Sequence, residues 1–414
     1  MFEIYLMTLA GVALLSIVLE EVIHVNKAKT TLFLGCIAWL SLFVHAGTDA
    51  NQKAVAHELD ENLLEIASLW LFLMSTMTFV AYLNAKGMIQ NLVRSIFPER
   101  LKTRTLLFLV AGFSLLLSAI CDNVTATLVS LGLLQVFDLE RSTKLKMAAL
   151  VVFAVNSGGV ALITGDVTTL MMFLAGHVTI SELLILFAPA ALGVVVLTVM
   201  FAFTVKGELV LEPKEVSYER VDVIIALIFL GTIFSTMLFN IAFGVPPVLT
   251  FLTGLSVMFL VGRLTVTDHE QTRLLEYIRQ VEYDTLLFFL GILLLVGMLK
   301  EIGVLEQLAQ YYSLMAPEYS NYVAGALSAL LDNVPLTAAL LKADPALTTP
   351  QWLALTYAVG VGGSLLAVGS AAGILAMSKV KELTFVSYLP YVPALLVAYT
   401  AGYGCTLWLA SLAH

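Results

Sequence analysis

The chain has 414 residues, 60% of them hydrophobic and 12% charged, with a formal net charge of -9 and a mean hydropathy of +0.95. A soluble domain carries about twice that charged fraction, so composition excludes a soluble enzyme and points to an all-α polytopic membrane protein. No basic patch interleaves with aromatics, which excludes a nucleic-acid surface, and Cys36, Cys121 and Cys405 lie singly in apolar segments, which argues against disulfides or a zinc set.

The first apolar run, 3–23, starts at once, with no basic n-region or small-residue cleavage site. It reads as a span and not a signal peptide, which favours a bacterial inner membrane. A second span follows at 30–46, then a polar, mainly acidic loop at 47–66, then a third span at 67–85. A basic loop from Lys86 to Arg104 leads into an apolar run, 105–137, broken at Asp122-Asn123. More basic residues follow at Arg141, Lys144 and Lys146. Lys and Arg stay on the cytoplasmic side, so this run predicts a re-entrant hairpin with its tip at Asp122. Span four, 147–175, is interrupted at Asn156-Ser157-Gly158-Gly159 and at Thr164-Gly165-Asp166, and span five covers 181–204.

After a cytoplasmic linker at 206–220 the pattern returns. Spans are predicted at 221–240, 247–263 and 284–300, then an amphipathic stretch at 303–315. A second broken run, 321–341, carries Asp332-Asn333, and spans at 351–377 and 385–411 complete the chain. The prediction is ten full spans and two hairpins, with both termini periplasmic. Every Lys and Arg except Lys53, Lys300 and Lys342 then falls on the cytoplasmic side. Each half, 1–205 and 221–414, holds five spans and one hairpin, so the second half is inverted relative to the first. Asp122-Asn123-Val124 aligns with Asp332-Asn333-Val334, Gly158-Gly159 with Gly362-Gly363, and Thr164-Gly165-Asp166 with Val368-Gly369-Ser370. Inverted repeats with polar, glycine-broken helices near the midplane are the signature of a secondary transporter.

Asp122, Asp166 and Asp332 are the candidate exchanging groups, because a carboxylate at membrane depth is costly without a function. Asp166 leads, since Ser370 breaks the symmetry at its position; Asp122 or Asp332 is the alternative. Each Asp also suits an N-cap of its second half-helix. With Asn123, Thr125, Asn156, Ser157, Thr168, Asn333, Ser364 and Ser370, the set offers carboxylate, amide and hydroxyl oxygens to a hard cation such as Na+ or Li+. No basic residue is expected to match the three aspartates. Thr337 is a weaker ligand candidate. Glu65, Glu282 and Asp284, at span ends, could serve proton access, and His57 and His177, on the outer side, could sense pH. An intramembrane aspartyl protease is disfavoured, since Ile163 stands where Gly-x-Gly-Asp needs its first glycine. No cofactor is expected beyond the transported ions.

The two Asp-Asn-Val tips, Asn-Ser-Gly-Gly with Gly-Asp-Val-Thr in span four, and Gly-Gly-Ser in span nine resemble the NhaD-type sodium/proton antiporters of the ion transporter superfamily. The superfamily's dicarboxylate/sodium symporters resemble this layout but carry Ser-Asn-Thr at the tips. The resemblance implies exchange of Na+ or Li+ for protons, a homodimer, and a mobile transport domain moving against a scaffold. It places functional positions on Asp122, Asn123, Asn156, Asp166, Thr168, Asp332 and Asn333. The alternative is an anion or metalloid transporter of the same superfamily, a dicarboxylate/Na+ symporter or an arsenite exporter.

Overall fold

The computed structural model describes residues 1–18, 26–47, 49–88, 100–134, 139–210, 219–265, 276–279, 283–305 and 314–413, with a few isolated positions between them. Among them, seven helical stretches are long and apolar enough to cross a membrane. The first three helices are α1 (Phe2–Val18), α2 (Lys27–Ala46) and α3 (Asp49–Ala85). The first broken run gives α4 (Thr103–Ile120) and α5 (Asn123–Leu134), and span four gives α6 (Arg141–Gly159) and α7 (Val167–Leu174). Then come a short α8 (Ile180–Leu183) and α9 (Phe187–Ala202).

The same order recurs. Helices α10 (Arg220–Phe243), α11 (Pro247–Thr265) and α12 (Tyr283–Glu301) precede the second broken pair, α13 (Pro317–Leu331) and α14 (Asn333–Ala343). The second broken span is α15 (Thr349–Gly362) and α16 (Ala371–Lys379), followed by a short α17 (Phe385–Tyr388) and α18 (Val392–Ala413). One expectation needs correction. Residues 49–66 are not a loop but the first half of α3, because Val55, Asn62 and Ile66 recur at helical spacing and are buried. Between the helices, strand β1 (Arg100–Lys102) pairs antiparallel with β2 (Glu208–Val210) in a short ribbon. Most of the amphipathic stretch 303–315 lies outside the described residues.

Helices α6 and α15 form the centre. Met147 to Gly159 and Trp352 to Gly362 are buried on every face, which fits their all-round apolar sequence. Each packs on the first arm of the preceding broken pair, α6 on α4 and α15 on α13. The contacts repeat in kind. Ser118 Oγ donates to Val155 O at 2.7 Å, and Ser328 Oγ donates to Val359 O at 2.8 Å. A methyl group on Gly158 would strike Leu115 O, and one on Gly362 would strike Gly325 O. Buried hydroxyls are thereby satisfied, and the backbones come as close as glycine allows.

A second block surrounds α12, which lies against α2 and α3. Gly35 and Gly291 bring α2 and α12 into backbone contact. The indole N–H of Trp39 donates to Leu294 O and that of Trp70 to Leu286 O, each at 2.8 Å, and Asn62 Nδ2 donates to Leu293 O at 3.2 Å. Polar side chains that would be stranded in an apolar bundle are thus each given a carbonyl.

Candidate functional site

The two broken pairs and the two broken spans meet at their breaks. Helix α5 packs on α16, and α14 packs on α7, so each pair touches the broken span of the other half. All three aspartates lie at these breaks and act as caps. Asp166 Oδ1 accepts the Thr168 N–H at 3.2 Å and starts α7. Asp122 Oδ1 accepts the Thr125 N–H at 2.9 Å, and its Oδ2 accepts the Thr125 hydroxyl at 2.9 Å. Asp332 Oδ1 accepts the Val334 N–H at 3.3 Å. Each satisfies an orphan donor of a helix start and profits from the positive end of its dipole.

Capping does not exhaust them. Asp122, Asn123, Asp166, Asp332 and Asn333 line one cavity of about 150 Å³. Asn333 Nδ2 donates to Asp166 Oδ2 at 3.1 Å, joining residues 167 positions apart. Asp166 and Asp332 are almost wholly buried, at 7% and 4% exposure. Asp284 also lines the cavity, where its Oδ2 accepts from Asn26 Nδ2 at 2.9 Å. Among the described residues no three His, Cys, Asp or Glu side chains converge tightly enough to form a resident metal centre. The site is a mixed-oxygen cavity, of the kind a weakly held, exchangeable hard cation needs.

One expectation fails here. The sequence predicts no basic partner for the aspartates, but Lys27 Nζ lies 3.2 Å from Asp332 Oδ2 and lines the same cavity. Lys27 is the first residue of α2, and the fold brings that helix end across 305 positions to the second break. No local signal could have shown this.

The other candidates divide. Thr125 fixes Asp122 from behind. Asn156 Nδ2 donates to Ser370 Oγ at 3.0 Å, tying the two broken spans together, while Asn156 Oδ1 and the buried Ser157 Oγ have no partner among the described residues. Thr168 is buried beside Asp166. Ser364 Oγ turns back to Val361 O, and its own carbonyl accepts the Tyr388 hydroxyl at 2.6 Å. Thr337 likewise bonds its own helix, at Asn333 O, as membrane threonines often do. Glu282 lies outside the described residues. Glu65 is remote from the aspartates: it pairs with Lys342 at 2.5 Å beside a separate cavity of about 280 Å³. His57 is exposed and pairs with its helix neighbour Glu61. Sequence reasoning also missed Ser118, whose hydroxyl lies 2.8 Å from Asn123 Oδ1 and braces the first tip.

His177, in the connection between α7 and α8, stacks on Trp352 with ring centroids 3.8 Å apart, and its Nε2 is 3.7 Å from Asp344 Oδ1. Burial pushes its pKa below the usual 6.5, against the opposing pull of Asp344. A histidine whose pKa is depressed on folding adds stability that is full above its unfolded value and is lost as pH falls through that region. The melting temperature should therefore decline between about pH 7 and pH 5, and His177→Phe should flatten the decline. An unchanged profile in His177→Phe would remove this residue from the acid response.

A bundle of apolar helices with four breaks meeting at a carboxylate-lined cavity defines a membrane transporter that handles small ions. Comparison with known proteins narrows this. Residues 6–360 match the family described as citrate transporter, CitMHS. The chain is 30% identical to the Na(+)/H(+) antiporter NhaD of Vibrio parahaemolyticus over 408 residues, covering 90% of this chain and 98% of that protein. Identity is also 30% with the Na(+)/H(+) antiporter NhaD of Alkalimonas amylolytica, over 95% of this chain and 88% of that one. Sodium/proton antiporter 2 of Arabidopsis thaliana is 30% identical over 90% of this chain and 91% of its own length. The chain belongs to this family, as an NhaD-type transporter of the ion transporter superfamily.

Proposed function

We propose that this protein exchanges Na+ or Li+ for H+ across a bacterial inner membrane, with a buried aspartate binding cation and proton in turn. The observation that carries it is the placing of Asp122, Asp166 and Asp332 on one cavity at the helix breaks. A single carboxylate cannot hold a proton and a cation together, and that competition is sufficient for antiport. Asp166 is the exchanging group, held by the second half through Asn333. The named activities of the NhaD relatives support the same cargo.

The architecture in this reading is an inverted repeat of five spans and one re-entrant hairpin, ten spans in all, with both termini periplasmic. The hairpin pairs α4–α5 and α13–α14 and the broken spans form a transport domain that moves against the block around α12, and the protein works as a homodimer. Under this topology Asn26, Lys27 and Asp284 lie at cytoplasmic helix ends, so the aspartate cavity opens inward. An anion cargo such as a dicarboxylate fits poorly: Lys27 is outnumbered there by Asp122, Asp166, Asp284 and Asp332.

Inside-out vesicles holding a respiration-driven pH gradient test the proposal. Na+ or Li+ is expected to collapse the gradient, and K+ and citrate are expected to leave it standing. Collapse on citrate, with none on Na+ or Li+, would replace cation exchange with anion transport.

A further inference from the structure

The two hairpin tips are alike in sequence but not in chemistry. In the first, both oxygens of Asp122 are occupied by Thr125, one by its N–H and one by its hydroxyl. The matching place in the second tip is Pro335. Proline has neither a backbone N–H nor a hydroxyl to offer, so among the described residues Asp332 has one donor from its own helix, the Val334 N–H on Oδ1. Its Oδ2 is taken instead by the Lys27 ammonium at 3.2 Å. The backbone supports this presentation. Asp332 has φ 67° and ψ 140°, a conformation that a side-chain-bearing residue rarely adopts. Lys27 is equally out of place by local rules, since a cation in the first turn of α2 opposes that helix's dipole. Two locally unfavourable choices that meet in one ion pair mark a functional contact.

We propose that Lys27 is a tethered stand-in for the transported cation: its ammonium holds Asp332 when no ion is bound, and an arriving Na+ must displace it. The inference deepens the exchange reading above and rests on it for the identity of the cargo. The displaced ammonium has a place to go, because it already lies 4.7 Å from the centre of the Phe288 ring, where a cation–π contact can hold it. The device does two things. It keeps a buried carboxylate paired during the ion-free step, when an uncompensated charge would be costly. It also weakens Na+ binding on the side where this cavity opens, which speeds release.

The test uses the purified full chain in detergent, titrated with NaCl against choline chloride at constant ionic strength while the melting temperature is followed. In Lys27→Gln the NaCl concentration giving half the maximal thermal shift is expected to fall about tenfold, equivalent to ~1.4 kcal/mol of lost competition. In vesicles the same variant should reach half-maximal exchange at lower Na+ but with a lower maximal rate, since release slows. Pro335→Thr gives a second reading with Lys27 intact: its hydroxyl takes Oδ2, as Thr125 does at Asp122, and half-saturation again falls. Folded Lys27→Gln with an unmoved or higher half-saturating Na+ overturns the stand-in role; if that variant does not fold, the same result in Pro335→Thr does so. The two failures separate. Wild-type vesicles that exchange Na+, together with unmoved half-saturation in the variant, sink only the role of Lys27. Wild-type vesicles that exchange nothing sink the exchange reading, whichever way the thermal shift moves.

Discussion

Asp166→Asn is expected to abolish Na+/H+ exchange while leaving the protein folded and inserted. The substitution removes the charge and keeps the shape. An asparagine Oδ1 can still accept the Thr168 N–H that starts α7, because Asn and Asp cap helices about equally well. The atom that faces Asn333 becomes an Nδ2 donor, so the bond from Asn333 Nδ2 to Asp166 Oδ2 is lost, and the two amides meet again only when Asn333 turns its Oδ1 to accept. On the proposed mechanism, what is lost is the group that carries a proton or a cation at this break. In vesicles, addition of Na+ or Li+ should give no gradient collapse at any pH, while yield and melting temperature stay near those of the wild type. Asn333→Ala should give a milder defect, because it removes the positioning bond and leaves the carboxylate. If Asp166→Asn still exchanges Na+ for protons, Asp166 is a helix cap and no more, and the exchanging role passes to Asp122 or Asp332.

How much of this was legible in the sequence depends on the range of the interaction. Asp122, Asp166 and Asp332 announce themselves locally, because a carboxylate inside an apolar run is conspicuous and a cap followed by a helix is a local motif. The breaks after Gly159 and Gly362 are legible for the same reason, from adjacent glycines and polar residues. Residues 49–66 form helix where their acidic side chains suggest a loop, because the buried Val55, Asn62 and Ile66 follow a helical period along one face. Polarity measured exposure, and the period carried the structure. Lys27 could not be read at all: its partner is fixed by how α2 packs on α12 and by where the second broken pair ends, and neither is written near residue 27. The ribbon of β1 and β2 is the same case, with Leu101 paired to Leu209. One long-range fact was legible after all, the replacement of Thr125 by Pro335 between the repeats, although its consequence needed the position of Lys27.

Gly158→Ala and Gly362→Ala are expected to be strongly destabilising single-methyl substitutions. The added carbon of Gly158→Ala would overlap Leu115 O on α4, and that of Gly362→Ala would overlap Gly325 O on α13. Neither obstacle is a flexible side chain; both are helix carbonyls whose oxygens are held in place by the backbone. The two helices must therefore separate, and overpacking of this kind typically costs about 1–3 kcal/mol. Separation would also stretch the bonds from Ser118 to Val155 O and from Ser328 to Val359 O, which run between the same helix pairs. Gly112, in the middle of α4, is the control, because among the described residues nothing outside its own stretch of helix lies within 4 Å of an added methyl there. Gly112→Ala should be neutral or stabilising by up to about 1 kcal/mol from helix propensity alone. Melting in detergent by intrinsic fluorescence would order the three variants. Near-wild-type melting of Gly158→Ala and Gly362→Ala would show that the α4–α6 and α13–α15 contacts yield easily, and the breaks could then not hold Asp166 and Asn333 in register. Marked loss in both, with Gly112→Ala unaffected, would tie the same backbone contact in each half to the placement of the carboxylates, since Gly159 and Gly165 set Asn123 and Asp166 against that contact.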